Sequence, residues 1–146
     1  MAWVWYCDFM NEIKKEEKAT CVCERQPALR IVPLPADLNP AGDVFGGWIM
    51  SMADIAGSIA ARRRARSRVT TVAVNSFVFK QPVSVGDLVS FYADIVSVGN
   101  TSITVDVAVY VERNPENTIA LKVTEARLTY VAIDHNGNKR PVPPKE

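Results

Sequence analysis

The chain of 146 residues holds one histidine, His135, in an Asp-His-Asn-Gly turn near its C-terminus. That scarcity removes Ser-His-Asp and Cys-His nucleophilic machinery. Cysteine is thin as well: Cys7, Cys21 and Cys23 are odd in number and all lie in the first 23 residues. An odd count argues against a secreted disulfide framework, and a C-x-C pair with no second ligand pair is a poor zinc site. Reduced thiols and a cytoplasmic location are expected. No metal-ligand spacing and no dinucleotide-binding glycine pattern occurs, so neither metal nor cofactor is expected. Long apolar runs are absent too: Met-Ala-Trp-Val-Trp-Tyr-Cys at the start lacks a basic leader and stops at Asp8, too short for a signal or spanning segment. Neither charge sign dominates, with 17 basic residues against 16 acidic and a net charge of +1, which gives no global pull toward nucleic acid or membrane.

What is present is one domain's worth of chain, long enough to take roughly 70% of its unfolded surface out of water. Residues 1–27 read as an irregular charged arm, with Met10 as a more natural start, residues 28–135 as the domain, and 136–146 as an extended tail. Leu29–Val32 is a short strand ended by Pro33 and Pro35. From Trp48 to Ala61 the chain is apolar nearly all round, so this helix belongs inside something. Beyond it the period changes to two. Val69–Phe79, Leu88–Val98, Ser102–Glu112 and Thr118–Ile133 read as strands, and Ile103, Val105, Val107, Val109 and Val111 share one face. In the last strand the apolar phase slips between Val123 and Ala126, which predicts a bulge near Thr124–Glu125. Val72–Phe79 is apolar on both faces and implies an oligomer that covers it. The class is α+β.

The chemistry-bearing stretch runs from Asn39 to Asp54, Asn-Pro-Ala-Gly-Asp-Val-Phe-Gly-Gly-Trp-Ile-Met-Ser-Met-Ala-Asp. Asp43 is expected to help cap the helix. The first-turn amides of a helix lack intrahelical partners, and at Gly46 and Gly47 no side chain covers them, so they can hold charge developing on a carbonyl oxygen. Asp54, two turns on among Met52, Ala53, Ile55 and Ala56, can act as the base, and those neighbours should raise its proton affinity. The pair suggests hydrolysis of an acyl compound. Eight residues separate Gly46 from Asp54, roughly 12 Å along a helix axis. One subunit therefore cannot complete the site, and Asp54 is expected to face the Gly46–Gly47 end of a partner across a two-fold axis.

These residues also carry a resemblance. Gly42-Asp43-Val44-Phe45-Gly46-Gly47-Trp48-Ile49-Met50-Ser51 with Asp54, then Val72-Ala73-Val74-Asn75-Ser76 and Pro82-Val83-Ser84-Val85-Gly86-Asp87, closely resemble the bacterial acyl-CoA thioesterases of the hotdog superfamily and the tandem brain-type acyl-CoA hydrolases. The resemblance covers about residues 28–135. It implies a hotdog fold, a curved antiparallel sheet of five to six strands around one long central helix, in dimers often assembled into hexamers. It implies acyl-CoA as substrate, with Asp54 and Asn39 catalytic; Asn39 would orient the water or the acyl carbonyl. It places Asn75 and Ser76 along the acyl and pantetheine channel, although a plain sheet role fits them nearly as well. Arg62, Arg63, Arg64, Arg66 and Arg68 follow the helix. They read either as a solvated basic end favourable to the helix dipole or, with Arg68 first and Arg64 next, as a grip on the phosphates of coenzyme A. A non-catalytic acyl-CoA-binding domain and a thioesterase acting on acyl carrier protein are the rival readings. The sequence leaves open whether Asp54 activates water or attacks the thioester to form an anhydride.

Overall fold

The computed structural model describes residues 25–145. Most of the expected arm, the three cysteines and the start at Met10 lie outside the described residues. Strand β1 (Leu29–Ile31) leads through a single 3-10 turn (Pro35–Asp37) into the long helix α1 (Gly46–Ala65). Four strands follow: β2 (Arg68–Phe79), β3 (Leu88–Val98), β4 (Ser102–Arg113) and β5 (Ile119–Ile133). The five strands form one antiparallel sheet in the order β1-β3-β4-β5-β2. Among the described residues strands β1 and β2 are the two edges, and α1 carries the chain from one to the other.

The alternation in β4 sets the core. Ile103, Val105, Val107, Val109 and Val111 are all buried, and they meet Val123, Ala126, Leu128, Tyr130 and Ala132 of β5 under the helix. The buried face of α1 is built from Ile49, Ala53, Ala56, Gly57, Ala61 and Ala65. Small residues on that face let the helix axis lie close to the sheet. The expected bulge in β5 is present about one residue upstream, at Val123, where pairing passes from Val109–Thr124 to Tyr110–Lys122. The freed Val123 carbonyl accepts the amides of Lys80 and Gln81 at 2.8 and 3.3 Å, tying the chain after β2 to the sheet.

Strand β2 has no clean period because its register slips twice against β5, at Val72 and at Asn75. Val72, Val74, Val78 and Phe79 are about half exposed in the single chain. After Ile133 the chain turns at Gly137 (φ 84°) and comes back along the sheet end. There Arg140 donates to the Ala132 carbonyl (2.9 Å) and Val142 to the Asn100 carbonyl (2.7 Å).

Asp87, 2% exposed, is held by Arg113 through two nearly parallel bonds of 2.8 and 2.6 Å and accepts the Ser84 amide at 2.9 Å. The same guanidinium reaches the Pro82 carbonyl at 3.1 Å, and Val83 accepts the Val44 amide at 2.8 Å. The ion pair thus braces the loop on which the entry to α1 rests. Its hydrogen bond to Asp87 raises the already high proton affinity of Arg113, so the guanidinium stays charged. Removing one partner strands a buried carboxylate. An Arg113→Met variant should lose about 3 kcal/mol of unfolding free energy in urea, toward the low end of such losses because the arginine is partly exposed.

Candidate active site

The entry to α1 is organised by Asn39. Its Oδ1 accepts the amides of Ala41 (2.9 Å) and Asp43 (3.1 Å), while the backbones of Asn39 and Asp43 bond at 2.7 Å. Both partners of that side-chain atom are N–H donors, so the atom must be the amide oxygen, and Nδ2 has no acceptor among the described residues. Gly42 takes a φ of 91° to close the turn, a conformation costly for any residue with a Cβ. Leu38 and Val44 bridge across it. Asn39 therefore does shape the turn, and doing so leaves its NH2 group available.

The helix starts at Gly46 with Phe45 as N-cap and no side-chain cap. Asp43, expected to help cap this end, does not; its position is spent on the Asn39 turn. The consequence is chemical. The amides of Gly46 and Gly47 donate to no acceptor among the described residues, whereas those of Trp48 and Ile49 are shared with the Phe45 carbonyl at 3.0 and 3.3 Å. A Cβ on Gly46 would lie 3.2 Å from the Phe79 ring, while one on Gly47 would meet nothing. Beside Gly46 opens a cavity of about 330 Å³, lined by Asp43, Val44, Ile49, Phe79, Pro82 and Val83 among others.

Asp54 sits two turns up the helix and is half-buried. Hydroxyl donors from two strands reach its carboxylate. Oδ1 accepts the Thr71 hydroxyl of β2 at 2.7 Å and lies 3.1 Å from the Tyr130 hydroxyl of β5, which is also 2.9 Å from the Asp54 carbonyl. Asp54 makes no ion pair with any described residue, and Oδ2 accepts no hydrogen bond among them. The carboxylate is thus oriented by one oxygen and open at the other. Burial first, then the adjoining carboxylate charge and hydrogen bond, push the Tyr130 phenol well above its ordinary range, so it remains an O–H donor.

The other expected residues fall elsewhere. Asn75 occupies the second slip of β2 and accepts the Thr129 hydroxyl at 2.7 Å. Ser76 faces a separate cavity of about 340 Å³ lined by Asp94, Asp106, Lys122 and Arg127 among others. Arg64 donates to the Pro143 carbonyl of the returning tail at 2.7 Å, and exposed Arg68 approaches the His135 carbonyl at 3.4 Å. One chain does not bring Asp54 to the Gly46–Gly47 end, since both lie on the same helix, two turns apart. Thr71, Tyr130 and Gly57 were missed from sequence. The available signal was Gly57, a glycine in a helix interior, where it costs about 1 kcal/mol against alanine and so marks a close approach.

Comparison with known proteins shows the family. Residues 41–117, more than half the chain, match the family model of the thioesterase superfamily. The acyl-CoA thioester hydrolase YciA of Salmonella typhimurium is 46% identical over 117 residues, covering 79% of this chain and 88% of that protein. A hexameric hotdog-fold thioesterase of Campylobacter jejuni superposes with a TM-score of 0.79 at 46% identity, over 82% of this chain and 91% of the other. An aspartate-to-alanine mutant of a hexameric broad-specificity acyl-coenzyme A thioesterase also superposes at 0.79, with 41% identity over 83% and 88%. The chain belongs to the thioesterase superfamily, in its hotdog-fold branch.

Proposed function

We infer that this protein is an acyl-CoA thioesterase, which cleaves the thioester with water to a carboxylic acid and free coenzyme A. The acyl-CoA hydrolases among its relatives support the substrate class. The observation that carries the mechanism is the division of labour along α1: an uncapped amide pair at one end and, two turns on, a carboxylate held by one oxygen and open at the other.

In the proposed reaction the thioester carbonyl oxygen lies against the Gly46 and Gly47 amides of one protomer. Asn39 of that protomer orients water or carbonyl through Nδ2. Oδ2 of Asp54 from the partner takes a proton as the water oxygen bonds to the carbonyl carbon. The oxyanion collapses, the carbon–sulfur bond breaks, and the proton on Asp54 passes to the departing sulfur. No metal or cofactor takes part beyond the coenzyme A carried by the substrate. The rival route, attack by Oδ2 to give an anhydride that water then opens at the Asp54 carbonyl carbon, would place the solvent oxygen in Asp54 rather than in the first-turnover product. One single-turnover run in 18O water distinguishes the two.

Hexameric neighbours support a trimer of dimers. The half-exposed apolar edge strand β2 supports a dimer seam there. Asn75 and Ser76 on that strand are assigned to the channel side, and Arg68, more exposed than tail-bound Arg64, to the coenzyme A phosphates. Among the described residues no helix is long and apolar enough to cross a membrane. The cytoplasm is proposed as the location because the substrate is an intracellular metabolite. Thiol release measured over acyl-CoAs of increasing chain length tests the function. Turnover of at least one CoA ester supports it, and silence on all of them overturns it in favour of a binding domain or a carrier-protein hydrolase.

A further inference from the structure

We propose that Tyr130 is a positioning residue for Asp54 and that Gly57 is the gap in the helix that admits it. The inference rests on the reading of Asp54 as the base. Tyr130 is fully buried, and its hydroxyl reaches both the Asp54 carbonyl (2.9 Å) and Oδ1 (3.1 Å). A phenol carries one hydrogen, so the bond is shared between the main chain and the side chain of the same residue. That arrangement pins the carboxylate relative to its own backbone, which a bond from Thr71 alone would not do. Thr71 supplies the second donor to Oδ1 at 2.7 Å. With Oδ1 engaged from two strands, Oδ2 is the oxygen left to take a proton from water.

Gly57 makes the contact possible. It lies three residues beyond Asp54, on the face of α1 that looks at β5, and a Cβ there would run into the Tyr130 hydroxyl and stand 3.1 Å from the ring carbon that bears it. A helix pays in propensity for a glycine at its centre. Here the missing methyl is the space that the hydroxyl occupies, so one position of the helix and one of the sheet form a single device.

A kinetic cycle tests this on the intact assembly with a short-chain acyl-CoA: Tyr130→Phe, Gly57→Ala, the double variant, and Asp54→Asn beside them. Losing a hydrogen bond to a charged group predicts a fall in kcat of about tenfold or more for Tyr130→Phe, with KM within about twofold. Gly57→Ala should lose at least as much, because it displaces the hydroxyl without removing it. Added to Tyr130→Phe, it should lose no more than about threefold further, since the oxygen it overlaps is gone and the ring carbons at 3.1 and 3.2 Å need yield only slightly. Circular dichroism and mass of the assembly verify that each variant folds and assembles; Tyr130→Phe deletes one oxygen only. If Asp54→Asn is silent while Tyr130→Phe keeps the parent kcat, the positioning role is overturned and the base is not, even if the melting temperature drops. Independent, multiplicative losses for the two single changes also overturn it. If Asp54→Asn itself keeps its rate, the reading of the base fails instead.

Discussion

Asp54→Asn should reduce kcat by about 10³-fold, in the range seen when a general base is lost, and leave KM for acyl-CoA nearly unchanged. Asparagine keeps the size of the side chain and can still accept from Thr71 and Tyr130 through its oxygen, so the local hydrogen bonds at 2.7 and 3.1 Å have a way to persist. What changes is the open position, where an amide nitrogen that cannot take a proton replaces Oδ2. Stopped-flow thiol release with a saturation series separates the two constants. A drop in affinity with kcat intact would make Asp54 a binding residue.

The second large effect concerns the seam between protomers. Val72 and Val74 are 54% and 48% exposed on β2, an edge strand whose outer side pairs with no other strand among the described residues. Replacing both with aspartate places charge where an apolar surface must be buried on association, while the core under α1 is untouched. The double variant should appear as a protomer by light scattering, retain its far-ultraviolet dichroism, and lose turnover by about 10³-fold, comparable to loss of the base itself. Two turns of helix, roughly 12 Å, separate the carboxylate from the amides of its own chain, and no rearrangement of an intact helix closes that gap. Full activity in a dispersed, folded protomer would place the whole site in one chain.

Much of the fold was legible because β4 alternates without exception and the helix is apolar nearly all round; those patterns call for a sheet packed on the helix, which in the single chain buries one face and leaves Met50 and Ile55 exposed. The bulge was legible to within about a residue, since a slip in phase has a single structural remedy. Strand β2 was harder. Its two register slips at Val72 and Asn75 erase the period that would have shown which residues face the helix, and so Thr71 was not recognised as a partner of Asp54. Tyr130 sat in the apolar phase of β5 and was read as core, which it is; that its hydroxyl also touches α1 depends on the tertiary approach that Gly57 permits. Asp43 was expected at the cap by residue type alone, and the Asn39 turn overrode that preference. The tail reads only as extended in sequence because the contacts that hold its end, Arg64 to Pro143 and Val142 to Asn100, are long-range.

Subunit complementation tests the shared site most directly. Asp54→Asn chains and Asn39→Ala chains, each nearly inactive alone, are unfolded, mixed in equal amounts and refolded together. If base and amide end come from opposite protomers, half of the dimers are mixed and one of the two sites in each is intact, so activity should return to about a quarter of the parent value. A mixture as silent as its two components would contradict a site built across the interface.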